Sequence, residues 1–332
     1  KPSLKVLEKM LPASGGFLEA VPLTSFVSMA LIKTDRASHP VVQKGIQFLL
    51  NSFRFEGESE GSWPIDTNLA TWNTTLAINA LASHPDSFAN EYSANSQQWT
   101  TGINWVMSCQ NQQTHPFTGA APGGWGWTDL SGAVPDADDT PGALLALKRI
   151  SQLSAPEGEQ ERIPTSKIQQ SAELGVDWLI NLQNNDKGWP TFCRGWLKLP
   201  FDRSGTDLTA HVIRSFLAWR DDISDTKNRK TKVNRAIKTG FEYLKQHQER
   251  DGSWLPLWFG NQDMPEDINP FYGTAKVLMA YRDANLFDTK EAQFGLRWLR
   301  ENQNEDGGWG GGPSTNWQNP VLGESSVEET AL

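Results

Sequence analysis

Apolar positions along this chain fall at helical spacing, in alternating blocks of two kinds. In the first kind they form a single stripe among charges: Leu174, Trp178, Leu179 and Leu182 stand at steps of four, one and three. A polar loop with Asp-Gly or Gly-Gly follows and stops the helix, because glycine takes the left-handed cap conformation at little cost. The second kind is apolar around most of its circumference: "TNLATWNTTLAINALA", "ADDTPGALLALKRI", "TDLTAHVIRSFLAW" and "NPFYGTAKVLMAYRD". Helices striped on one side lie at the surface, and those apolar nearly all round are buried. The alternation predicts two concentric rings of helices, an all-α fold of the α/α-barrel type, with the inner helices starting around one mouth. Strand signals are nearly absent.

The blocks repeat. "GVDWLINLQNNDKGW", "GFEYLKQHQERDGSW" and "GLRWLRENQNEDGGW" share glycine, an aromatic-Leu pair, glutamine, a polar loop and a closing tryptophan. Weaker copies close at Trp63 and Trp125, and the others at Trp189, Trp254 and Trp309, so the period is about 55 to 65 residues. These five tryptophans read as clamps between one repeat and the next. A helical solenoid used only for binding would show the same repetition, so repetition alone does not assign a function.

Composition narrows the classes. The chain has 332 residues, 38% hydrophobic and 21% charged, which is the profile of a globular protein. A net charge of −9 argues against nucleic acid or an anionic membrane surface as the main partner. Two cysteines, Cys109 and Cys193, cannot build a disulfide framework and point to a reducing, cytoplasmic compartment. Fifteen tryptophans against four tyrosines is the unusual figure, and the flat faces this supplies need a use.

"GAVPDADDTP" packs Asp136, Asp138 and Asp139 into four positions at the start of an apolar helix. Asp139-Thr-Pro-Gly is a good helix start, with proline in the first turn. Capping accounts for one aspartate or two, but not for a third at Asp136.

Together these residues resemble the squalene-hopene cyclases and related triterpene cyclases. The Gln…Gly-x-Trp repeats are similar to that family's QW motifs, and "PDADDT" matches its Asp-x-Asp-Asp signature. The likeness runs from about residue 40 to the end. It implies a class II terpene cyclase, an isomerase that protonates a polyene, squalene or similar, to start polycyclisation, with no metal or organic cofactor. It makes Asp138 the proton donor, with Asp136 and Asp139 as its neighbours. Through "DLTAH" it assigns His211 as the acid's hydrogen-bond partner, with Asp207 beside it. It places Tyr272 and Trp258 near the acid, and Trp72, Trp127 and Phe192 on the cavity wall. Phe192 stands where close relatives usually carry tyrosine.

The chemistry is coherent on its own terms. Protonating an isolated C=C needs a strong acid that keeps its proton until substrate arrives. Like charges at close range cannot all ionise, so neighbouring carboxylates hold one member protonated. A cationic histidine would stabilise the carboxylate left behind. Aromatic faces stabilise a migrating cation without bonding to it.

The signature's form further implies an unactivated alkene rather than an epoxide. A class II diterpene cyclase acting on a prenyl diphosphate is the first alternative. It would need Mg²⁺ and a basic pocket, for which Arg194, Lys198 and Arg203 are the evident cluster. A non-catalytic isoprenoid- or protein-binding repeat scaffold is the second. "CRGWLKLPFDRSG" and "GNQDMPEDINP" depart from the family pattern and are expected near the barrel mouth. The chain reads as one catalytic barrel domain over 1–332, a fragment without the family's second barrel and last helix pair. Exposed apolar side chains are expected where those helices would pack. The resemblance leaves room for a homodimer and for peripheral contact of the complete protein with the inner face of a membrane.

Overall fold

The computed structural model describes residues 2–55, 61–66, 68–84, 95–116, 118–152, 164–192, 200–262, 264–311 and 325–332. Twelve α-helices run through these residues: α1 (Pro2–Met10), α2 (Val21–Ile32), α3 (Pro40–Ser52), α4 (Ala70–Leu81), α5 (Ser96–Ser108), α6 (Asp139–Ser151), α7 (Thr165–Leu182), α8 (Thr206–Trp219), α9 (Arg229–Gln246), α10 (Pro270–Asp283), α11 (Lys290–Glu301) and α12 (Val327–Ala331). Strand is limited to two-residue pairs, Arg54–Phe55 with Gly61–Ser62 and Trp189–Pro190 with Ser204–Gly205.

The two kinds of block become two layers. Inner helices α4, α6, α8 and α10 pack in sequence, each on the next. Outer helices α5, α7, α9 and α11 each pack on the inner helix that precedes them in the chain. The pattern dictates this. In α8, Leu208, Val212, Ile213 and Phe216 are all buried, each contributing about 1.5–3 kcal/mol of apolar transfer. In charged α11 only Ala292, Gly295 and Trp298 are buried. Helices α1–α3 form a small core of their own around Phe17, Leu31, Val41 and Val42. Phe26 and Met29 of α2, and Leu76 and Leu81 of α4, are exposed.

The repeat motif is a set of hydrogen bonds. The indole N–H of each closing tryptophan donates to a last-turn carbonyl of its preceding outer helix: Trp125 to Val106, Trp189 to Leu179, Trp254 to Leu244 and Trp309 to Leu299, at 2.7–2.8 Å. Trp63 does the same to Leu49. The glutamine amide spans the loop and reaches the next repeat. Gln248 donates to the Gly252 carbonyl and to Glu291 at the start of α11. Gly252 (φ 103°) and Gly307 (φ 89°) take the left-handed conformation expected of them, while in the loop before Trp189 it is Lys187 (φ 81°) that does so.

A third bond was not visible in the sequence. In four of the five, the tryptophan backbone N–H donates to a threonine hydroxyl on the helix that follows: Trp125 to Thr140, Trp189 to Thr209, Trp254 to Thr274 and Trp309 to Thr330. Each loop is thereby tied to the first turns of an inner helix, where the candidate site lies. The approach is close enough that a Cβ on Gly273 would lie 2.2 Å from the Trp254 carbonyl oxygen.

Candidate active site

The acid turn is built from two Gly-Trp loops. Asp136 N–H donates to the Trp125 carbonyl and Ala137 N–H to the Thr191 carbonyl. Asp136 also forms an isolated β-bridge with Phe192. Within the turn, the Asp136 carboxylate accepts from the N–H groups of Asp138 (2.9 Å) and Asp139 (2.6 Å). Asp136 is therefore the carboxylate that caps α6. Asp139, which the sequence marks as the cap, instead turns its carboxyl inward, where Oδ1 is buried without a partner. With capping done by Asp136, the Asp138 side chain is released to the cavity.

That cavity measures about 1290 Å³ and is lined by Trp72, Asp138, His211, Phe259, Tyr272 and Lys276, among others. Each comes from the N-terminal half of an inner helix or the loop before one. Asp207 and His211 are one turn apart on α8, and Tyr272 and Lys276 one turn apart on α10. Asn269 caps α10 by accepting from Tyr272 N–H. The inserted segment 260–270 lies at this cavity, with Gly260, Asn261, Gln262 and Asn269 on its wall. The basic segment 193–199, with Cys193, Arg194 and Lys198, lies outside the described residues; Arg203 is exposed.

The aromatic residues divide into two arrays. Trp72, Phe259 and Tyr272 line the cavity in contact, with Phe259 stacked on Tyr272 at 4.7 Å. Trp127, Phe192, Phe201 and Trp258 form a second chain of ring contacts and do not line it. They sit behind the acid turn: Trp258 donates its indole N–H to the Thr191 hydroxyl, and the Trp127 carbonyl accepts from Thr71 and Trp72 N–H at the start of α4.

Burial dominates the electrostatics. It raises the Asp136 carboxyl to about 7, with the Asp138 charge adding and hydrogen bonds from Asp139 opposing. Asp139 is raised well above its ordinary value by burial and by the Asp136 charge. Burial raises Asp138 as well, opposed by the cation of Lys276. Asp207 is raised to about 6, by burial and then by Asp138. His211 departs from expectation. Its Nε2 lies 3.9 Å from Asp138 Oδ1, beyond hydrogen-bond distance though within reach of one water. Burial, then Lys276 and Arg214, hold the imidazole well below its usual value. This shift works against the cationic form expected beside the acid.

Lys276, Phe259 and Phe201 escaped the sequence reading. Lys276 did leave a signal: it is the one charge in the middle of an otherwise apolar inner helix, four residues after Tyr272.

A family model for the squalene-hopene cyclase C-terminal domain matches residues 69–331. The chain belongs to the squalene-hopene cyclase family. The match begins at the first inner helix of the main core and leaves out α1–α3. The squalene–hopene cyclase of Zymomonas mobilis is 26% identical over 252 residues, 72% of this chain and 34% of its own length. A terpene cyclase–glycosyl transferase fusion protein of Humicola fuscoatra is 26% identical over 87% of this chain and 22% of its own. The chain thus spans about a third of one of these curated relatives and about a fifth of the other. In fold it is similar to the type II terpene cyclase MstE from Scytonema, with a TM-score of 0.50 at 16% identity over 86% of this chain and 69% of that one. Membership of this family makes the α/α barrel and the QW repeats one architecture. Among the described residues no helix is long and apolar enough to cross a membrane.

Proposed function

We propose that the complete protein is a class II terpene cyclase that starts polycyclisation of an apolar polyene, squalene or similar, from Asp138. The observation that carries this reading is an uncapped carboxyl, raised by burial, facing a cavity walled by Trp72, Phe259 and Tyr272. In the first step the Asp138 O–H bond breaks and a C–H bond forms at one end of a C=C, using its π pair. The carboxylate remains, and the positive charge moves to the substrate. Ring closures use the following double bonds in turn, until loss of a proton ends the sequence. The product is then an isomer of the substrate. The aromatic faces stabilise the moving charge without bonding to it. Trp127, Phe192 and Trp258 act in this reading by bracing the acid turn from behind. An apolar polyene is delivered most directly from a bilayer, so peripheral membrane contact of the complete protein belongs to the same proposal.

Incubation with squalene and, separately, with geranylgeranyl diphosphate and Mg²⁺ tests it, with products analysed by mass spectrometry. Cyclic products of squalene's own mass are expected. Conversion of the diphosphate alone would assign a diterpene cyclase, and conversion of neither would leave a binding scaffold.

A further inference from the structure

The cavity holds a cation that the mechanism above does not use. Lys276 lies on inner helix α10, and its ammonium lines the cavity with Asp138 and His211. Among the described residues it makes no hydrogen bond or ion pair; its one close partner is the Tyr272 ring, 5.5 Å from the ammonium. The other nearby cation, Arg214, is already engaged by Asp283 at 2.7 Å. Placing an unpaired ammonium inside a largely apolar barrel is costly. In a cavity that handles carbocations it is harmful almost everywhere, with one exception. Beside the acid, it favours proton release by stabilising the carboxylate that forms.

His211 is poorly placed for that task. A cationic imidazole needs acceptors at both nitrogens. Here Nδ1 is buried without a partner, and Nε2 stands 3.9 Å from the Asp138 carboxyl.

We propose that Lys276 is the counter-cation of the Asp138 carboxylate, a positioning residue that balances the charge left when the proton departs. This rests on the cyclase reading for its chemical purpose, but the pairing itself is measurable without turnover. The titratable groups that share the cavity with Lys276 or act on its charge are Asp138 and Asp139 at the start of α6, Asp207, His211 and Arg214 from α8, and Tyr272 from its own helix. Glu328 and Glu329 of α12 line the same cavity, with Glu329 held by Asn261 and Gly311. The α4 wall, Trp72, Thr75 and Leu76, contributes no titratable group. Burial lowers the Lys276 ammonium, and the Asp138 charge opposes that fall ahead of Asp207. The assignment agrees with the geometry, and coupling between two sites must act equally in both directions.

The test has two arms. In the first, the Lys276 side chain is titrated by NMR with labelled lysine, its signal assigned by its loss in Lys276→Met. Its pKa should fall in Asp138→Asn, where no carboxylate can form. An unchanged titration would overturn the pairing, whether or not any polyene is converted. In the second, pH–rate profiles of Lys276→Met and Lys276→Gln are compared with Lys276→Arg in the complete protein. Without the ammonium, Asp138 holds its proton to higher pH, so the alkaline limb should move up while the maximal rate drops by about 10²-fold. Arginine should return the limb toward its original place. A limb that stays put in both neutral variants would equally defeat the proposal. Absence of turnover in the parent would instead remove the cyclase reading and leave the first arm to decide the pairing.

Discussion

At the scale of single residues, three adjacent aspartates do three different things. Asp136 accepts two backbone N–H groups, Asp139 is buried against it, and Asp138 faces the cavity. Asp138→Asn keeps size and polarity but removes the acidic proton. It should abolish turnover and leave the melting temperature nearly unchanged, since this side chain makes no cap bond. Asp136→Ala removes the actual cap and should cost about 1–2 kcal/mol of stability. Turnover and thermal melts on the two variants check this together. Substantial turnover by Asp138→Asn would return the acid role to a neighbour; a melting loss in Asp138→Asn as large as in Asp136→Ala would make Asp138 structural.

At the scale of elements, the repeat is held by the bond from the N–H of Trp125, Trp189, Trp254 and Trp309 to a threonine on the next helix. Thr209→Val preserves shape but leaves the buried Trp189 N–H without its acceptor. The expected cost is about 1–3 kcal/mol, measured by denaturant unfolding. Thr330→Val removes the same bond at an exposed position on α12, where water can replace the hydroxyl, and should cost less. Equal losses at the two sites would show that the bond is not what holds the loop. The same geometry explains how the acid turn is supported, because the Thr140 hydroxyl also accepts from the N–H of Trp125, whose carbonyl accepts from Asp136 N–H.

At the scale of the whole molecule, the acid cluster acts on stability. Asp136 rises from 3.8 to about 7 on folding, and Asp139 is also raised well above its ordinary value, by burial and then by the Asp136 charge. A carboxyl whose pKa is raised in the folded state contributes stability that is complete below its unfolded value and lost as pH climbs through the folded value. The cluster should therefore destabilise the protein progressively between about pH 4 and pH 7. Surface carboxylates such as Glu173, held low largely by hydrogen bonds from Ser224 and the charge of Arg229, pull the opposite way. The informative quantity is thus the difference between parent and Asp139→Asn, which places a neutral amide beside Asp136. The variant's melting temperature should decline less across that window, as followed by calorimetry in steps of pH. Parallel curves would mean that the cluster ionises no differently in the folded chain.

Helix type, layer assignment and repeat period were legible from sequence because each depends on spacing within a short segment: a stripe for α11, near-continuous apolarity for α8. The Asp-x-Asp-Asp turn, the QW tryptophans and the family were legible for the same reason, as local strings in order. Which aspartate caps and which faces the cavity was not, because it depends on how the turn is suspended between Trp125 and Thr191, residues far apart along the chain. The separation of His211 from Asp138 is set by the packing of α6 on α8. The division of the aromatic residues into a cavity wall and a brace behind the acid turn follows from where four loops meet. Lys276 shows the distinction most plainly. The sequence displays a charge in an apolar helix, but only the assembled fold brings that charge and the acid to one cavity, which they reach from α10 and from the start of α6.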